Sequence, residues 1–268
     1  MTWTKLPFKQ IKKLTFVISF AFVSFTPVQA QLAEQVILVH RSPSRPSTEL
    51  LFEQPPPPGQ GAPSGTKPGG SRNACPVGQN SVTPLVPVTQ QPPDKELRWG
   101  YTTEAHPTFW FYMPYDSQSI KSSKFSLRNR SGETVYETDL KVTGLPGVIS
   151  ISLPSTAPPL EIGNWYQTYL FVDVYCIATA PLQKDSAQAW VKREQPNATL
   201  KTQLESATPQ QRAILYVKYG FLYDALGTLA ELRITNPMND DWAQLLRFVG
   251  LEAIAPEPIV NCCTPNGT

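Results

Sequence analysis

The sequence predicts an α+β chain in which an antiparallel β-sandwich is followed by a small helical unit. Three observations carry this. Short alternating apolar and polar runs, broken by turn residues, recur from about Val82 to Arg193. After Pro196 the apolar spacing becomes that of amphipathic helices. Residues 209–237 then carry the spacing of one diverged tetratricopeptide-like repeat. Pro209, Arg212, Ala213 and Tyr216 occupy its W, L, G and Y positions, Ala225 and Leu229 form A-x-x-x-L, and Pro237 closes it. A single repeat cannot bury its own apolar face, so the helices are expected to lean on the sandwich.

Residues 1–30 read as a secretory signal peptide. Lys5, Lys9, Lys12 and Lys13 form its positive region, Leu14 to Phe25 its apolar core, and Val28-Gln29-Ala30 its cleavage site. The apolar run is too short to span a bilayer comfortably, and no later segment is apolar enough to do so. The expectation is therefore an exported protein, periplasmic or extracellular, with no membrane span after cleavage. The whole chain has 23 basic and 21 acidic residues. Removing the four leader lysines leaves 19 basic against 21 acidic, a net of −2, so the apparent basicity belongs to the leader. Nucleic-acid binding needs a clustered basic face, which is missing.

Residues 31–80 read as a disordered Pro/Gly-rich tail. It holds Pro55-Pro56-Pro57-Pro58 and few large apolar residues to offset the entropy of ordering. The proline run favours an extended, semi-rigid spacer. The sandwich is expected over residues 81–196. Thr108 to Met113 and Phe125 to Asn129 are strands, and Arg130-Ser131-Gly132 turns the chain into Glu133 to Leu140. Val148 to Leu153 alternates, Trp165 to Ile177 is the longest run, and Gln188 to Arg193 is the last. Such spacing suggests an immunoglobulin-like sandwich.

Two strands have aromatic residues on the face that should be polar. In the long strand Trp165, Tyr169, Phe171 and Tyr175 lie opposite Tyr166, Leu170, Val172, Val174 and Cys176. Around residue 110, Trp110 and Tyr112 lie opposite Phe109, Phe111 and Met113. Such faces imply a cover. The helices are the plain cover. A sharper reading makes Trp110, Tyr112, Tyr169 and Phe171 a platform for a glycan or other apolar ligand, and a homodimer contact is a further option.

The helical unit is expected over residues 197–256, docked on the sandwich. Ala198 to Ala207 forms a first helix. Thr208, Pro209 and Gln211 make a capping box for a helix running to Tyr219. Phe221 to Ile234 follows with its apolar stripe, and Asn239 caps a last helix, Asp240 to Phe248, of the kind that ends a repeat stack. Ala213 and Ala225 let the middle helices pack closely. Residues 257–268 form a tail with adjacent cysteines.

The four cysteines are Cys75, Cys176, Cys262 and Cys263. An even number in an exported chain suggests disulfides. Pairing Cys75 with Cys176 would staple the start of the sandwich to its long strand and leave Cys262 beside Cys263. The alternative sends the tail cysteines to Cys75 and Cys176. With two histidines and no C-x-x-C pair, no metal site or cofactor is expected.

No nucleophile elbow, phosphate loop, dinucleotide fingerprint or H-E-x-x-H is present. Glu104 and His106 could share acid–base work, although His-Pro at a strand entrance more often fixes a turn. His40 lies in the tail. Asp116, Glu161 and Asp173 are candidate carboxylates for glycosidic cleavage, set by space and not by sequence. The function expected is non-catalytic: an envelope or secreted protein that binds another such protein, with a glycan-binding module and a periplasmic hydrolase as alternatives.

Several stretches also resemble one known family. They are Ala74-Cys75-Pro76 after a Gly/Ser-rich run, Glu104-Ala105-His106-Pro107-Thr108-Phe109-Trp110-Phe111-Tyr112-Met113-Pro114-Tyr115, and Pro146-Gly147-Val148-Ile149-Ser150. Tyr223-Asp224-Ala225-Leu226, Leu229-Ala230-Glu231-Leu232-Arg233 and Trp242 to Leu251 complete the set. Over residues 60–255 the chain resembles the cyanobacterial domain-of-unknown-function family numbered 928. The resemblance implies export in a thylakoid-bearing bacterium and supplies no catalytic residue. The family usually has Asp after the cysteine of the long strand, where this chain has Ile177 after Cys176.

Overall fold

The computed structural model describes residues 81–91, 95–144, 146–176, 179, 181–237, 240–260 and 262–265. The expected signal peptide, the Pro/Gly-rich tail with His40, Cys75 and the expected cap Asn239 lie outside the described residues.

The strands are β1 (Thr83–Pro84), β2 (Val88–Gln91), β3 (Lys95–Thr102), β4 (Thr108–Met113), β5 (Ile120–Asn129), β6 (Thr134–Lys141), β7 (Gly147–Ser152), β8 (Trp165–Val174), β9 (Gln183–Arg193) and β10 (Thr264–Pro265). The helices are α1 (Ala198–Ser206), α2 (Pro209–Lys218), α3 (Leu222–Thr235) and α4 (Asp241–Phe248). All strands but the short β10 therefore precede the helices, as the change in apolar period requires. Strand β3 has no clear signal in the sequence, because it opens on charged residues and contains Gly100.

The strands form two unequal sheets, one in the order β1-β4-β7 and one in the order β10-β6-β5-β8-β9-β3-β2. Alternation decides which residues meet between them. Phe109 and Phe111 of β4, Phe125 and Leu127 of β5, Ile149 and Ile151 of β7, and Leu170 and Val172 of β8 belong to one buried cluster. Most pairings are antiparallel, but β3 runs parallel to β9, with Trp99 opposite Trp190. An all-antiparallel sandwich does not describe this pairing. Between β3 and β9 the chain crosses to the small sheet and back, and only such a long crossover allows neighbouring strands to run the same way.

Asp185 ties the sheets together by hydrogen bonds. This buried β9 carboxylate accepts the Val82 N–H at 2.9 Å, the Tyr115 hydroxyl at 2.7 Å and the Ser186 N–H at 2.8 Å. Val82 precedes β1 and Tyr115 follows β4, so small-sheet residues grip a large-sheet side chain. Burial, then the hydrogen bond and charge of Asp185, hold the Tyr115 hydroxyl well above its ordinary pKa.

The helices share the main core. Tyr223 of α3 is buried, meets Phe109 edge-to-face at 5.6 Å, and donates its hydroxyl to the Trp190 carbonyl at 3.1 Å. It thus touches both sheets. A Cβ on Gly100 would meet the Leu222 Cβ at 3.3 Å, which shows how closely α3 approaches β3. Trp242 of α4 meets Trp110 of β4 at 6.2 Å. The expected capping box forms at α2: the Thr208 side chain accepts the Gln211 N–H, and Gln211 accepts the Thr208 N–H. Ala213 and Ala225 are both buried.

The C-terminal segment closes the free edge of β7. Val148 N–H donates to the Pro258 carbonyl at 2.7 Å, and Val260 N–H donates to the Val148 carbonyl at 2.9 Å. This approach needs a glycine beside it, since a Cβ on Gly147 would lie 2.5 Å from the Pro258 oxygen. Cys262 and Cys263 are bonded to each other, and Cys176 is disulfide-bonded as well. No described helix is long and apolar enough to cross a membrane.

The variant Gly147→Ala is expected to lose about 1–3 kcal/mol in urea denaturation, because backbone must move to admit the methyl. The Val148 and Val260 amides should lose hydrogen-exchange protection first.

Candidate functional site

The four rings expected to form one platform lie on two different sheets. Trp110 and Tyr112 belong to β4 in the small sheet and are each only 7% exposed. Trp242 of α4 packs on Trp110. Tyr169 and Phe171 belong to β8 in the large sheet. The four therefore offer no common surface, because the strands that carry them are not neighbours.

The outer face of the large sheet is divided. At the start of β8, Trp165 joins Trp99, Tyr101 and Trp190 in a second buried cluster. Leu200 of α1 and Phe221, just before α3, complete that cluster. Further along β8 the face opens. Phe171 is 39% exposed, Tyr175 37% and Leu182 38%. Tyr175 and Leu182 lie one step beyond the last register pair of the β8–β9 hairpin, Val174 with Gln183.

On this open half, Tyr169 and Phe171 stack with centroids 5.7 Å apart and planes 5° from parallel. The Arg128 guanidinium sits over the Tyr169 ring at 5.0 Å. In register Arg128 opposes Gln167, so it reaches the Tyr169 ring diagonally across the β5–β8 pair. The Tyr169 ring is thus engaged by both Phe171 and Arg128. Its hydroxyl donates to Gln167 Oε1 at 2.6 Å, and burial raises its pKa against the opposing pull of Arg128. Ion pairs flank the rings: Lys124 with Glu137 at 2.9 Å, and Lys184 with Asp173 at 3.6 Å. Asp173 also accepts the Ser122 hydroxyl at 2.9 Å.

The other singled-out groups have structural partners. His106 Nε2 lies 3.0 Å from the Ala157 carbonyl, pinning the loop before β8. Glu104 is exposed, and its N–H donates to Thr102 Oγ1 at 3.1 Å. Asp116 accepts the N–H groups of Gln118 and Ser119 and closes a turn. Among the described residues, no cluster of three or more His, Cys, Asp or Glu could hold a metal.

Glu161 lies elsewhere, in a groove of about 530 Å3 between the β5–β6 turn and the loop entering β8. Arg130, Pro158, Pro159, Asn164 and Tyr166 share its lining. Asn164 Nδ2 donates to Glu161 Oε2 at 2.6 Å, and the Glu161 N–H donates to the Tyr166 hydroxyl at 3.0 Å. Sequence reading found Glu161 but not the groove, because the two walls are some thirty residues apart and meet only through the β5–β8 pairing.

Sequence reading also missed Asp224, at the seam between helices and sheets. The Thr103 N–H donates to both its carboxylate oxygens at 3.2 Å, and the Thr103 hydroxyl donates to Oδ1. Burial pushes its pKa up to about 6; hydrogen bonds from Thr103 and Thr102 oppose the shift, and the Glu104 charge adds to it. The folded state therefore holds this proton more tightly than the unfolded chain does. Its contribution is complete below the ordinary pKa near 3.8 and is lost as pH rises through about 6. Urea denaturation between pH 4 and 7 should show the Asp224→Asn variant with a flatter profile. The difference is expected to reach up to about 3 kcal/mol, the equivalent of a two-unit shift.

No curated protein matches this chain. The model of one family, described as Domain of Unknown Function (DUF928), matches residues 67–259, which take in most of the two sheets and all four described helices. That is well over half of the sequence, and the chain belongs to this family.

Proposed function

We propose that this chain is an exported, non-catalytic protein of the envelope or exterior of a cyanobacterium, and that it binds another envelope or secreted protein. The observation that carries this is the divided outer face of the large sheet. Helices take the Trp99, Trp165 and Trp190 end, while Phe171, Tyr175 and Leu182 remain exposed at the other. An apolar centre rimmed by paired charges is the usual composition of a protein interface. Export rests on the N-terminal leader, and the Pro/Gly-rich segment serves as a tether. The finer architecture belongs to the same proposal: an immunoglobulin-like sandwich carrying one tetratricopeptide-like pair, α2 and α3, capped by α4.

The alternatives have less support. A glycan platform on the outer face loses Trp110 and Tyr112 to burial, and the Tyr169 ring is already engaged by Phe171 and Arg128. A hydrolase centred on Glu104 and His106 lacks a shared geometry, since His106 is engaged by Ala157.

A photo-crosslinking side chain placed at Phe171 or Tyr175 of the full chain, in the source cells, is expected to capture a discrete protein. One placed at Glu205, exposed on α1, should not. The Phe171→Ser variant should weaken the purified pair about tenfold or more, as for a hot-spot residue. Equal labelling from all three positions, or none from Phe171 and Tyr175, would contradict the proposal.

A further inference from the structure

The groove between the β5–β6 turn and the loop entering β8 has the chemistry of a second binding site. Its walls are held before any ligand arrives. Asn129 Oδ1 accepts the N–H groups of Ser131 and Glu133 at 3.0 Å each, which fixes the turn that carries Arg130. On the other wall, Gly163 N–H donates to the Arg193 carbonyl at 2.7 Å, and Asn164 holds one oxygen of Glu161.

Three polar functions in this groove have capacity to spare. Tyr166 is only 6% exposed, and its hydroxyl oxygen accepts the Glu161 N–H. A hydroxyl also donates, and among the described residues nothing accepts the Tyr166 hydrogen. Glu161 Oε1 has no hydrogen-bond donor, and the Arg130 guanidinium has no acceptor, among the described residues. Tyr166 lines the groove, so its hydroxyl hydrogen is available to an acceptor that enters there. Pro158 and Pro159 add an apolar wall beside these groups.

We propose that the groove binds a neutral saccharide. A sugar hydroxyl accepts one hydrogen bond while donating another, and adjacent hydroxyls therefore need donors and an acceptor side by side. Tyr166 and Arg130 supply donors, and Glu161 supplies the acceptor. The C–H face of the sugar ring rests on Pro158 and Pro159. One cation beside one anion disfavours a charged ligand such as a phosphate. The lining holds a single carboxylate, Glu161. Glycosidic cleavage needs two carboxyls facing the bond, so this site binds and does not cut. It is separate from the open face around Phe171.

The test is NMR titration of the isotope-labelled mature chain with cellotetraose, chitotetraose and mannotetraose in turn. At least one is expected to give saturable shifts at Gly163, Asn164 and the Trp165 indole. Arg130→Ala and Glu161→Gln, both exposed positions whose loss leaves the core intact, should each weaken that binding about tenfold or more. Tyr166→Phe should weaken it as well, and Phe171→Ser should leave it unchanged. The proposal is overturned if none of the three sugars shifts the groove, if binding survives both the Arg130 and Glu161 changes, or if the shifts map to the Phe171 face.

Discussion

The structure depends on one wedge. Tyr223 enters the seam at the first turn of α3, lays its ring against Phe109 of the small sheet, and bonds its hydroxyl to Trp190 of the large sheet. A buried tyrosine supplies a large apolar contact together with one polar group that must find a partner. Here the partner is a backbone carbonyl, so position and orientation are both fixed. The adjacent Asp224 adds a polar lock to Thr103 beside β3. Sheets and helices thus share one core.

The division of the outer sheet face follows from this placement. Once α3 is wedged against the β3–β9 pair, Phe221 and α1 fall over Trp99, Trp165 and Trp190. The far half of β8 lies beyond their reach. Its aromatic residues instead stack on one another and on Arg128, which lowers the apolar area shown to water without removing it. The groove at Glu161 is independent of the helices. It arises where the β5–β6 turn stands against the loop that feeds β8, and its polar lining reflects its position at the rim of the sandwich.

Local chemistry in the sequence was sufficient for several elements. Thr208, Pro209 and Gln211 announce the start of α2 because a capping box is complete within four residues. The alternation of β4, β7 and β8 is strong because each strand must present one face to a common core. The charged opening of β3 hides it, since its identity comes from Trp99 and Tyr101 packing against residues much later in the chain. The double-faced aromatic strands signalled a cover, which the helices supply over Trp110 and Trp165 but not over Phe171 and Tyr175. Alternation cannot say which strand enters which sheet, so Trp110 and Tyr112 were grouped with Tyr169 and Phe171 although sheet order separates them. Asp185 and Asp224 left no trace either. Their farthest partners are 103 and 121 residues away, and no local pattern distinguishes a buried carboxylate from an exposed one.

The central claim is that the helices and the two sheets are one cooperative unit joined at Tyr223. Native-state hydrogen exchange in increasing urea measures this most directly. The amides of Leu226 and Ala230 in α3 are expected to open together with those of Phe109 and Phe111 in β4, with one free energy and one urea dependence. Exchange of the α3 amides through a separate, much smaller opening, while β4 stays protected, would contradict it.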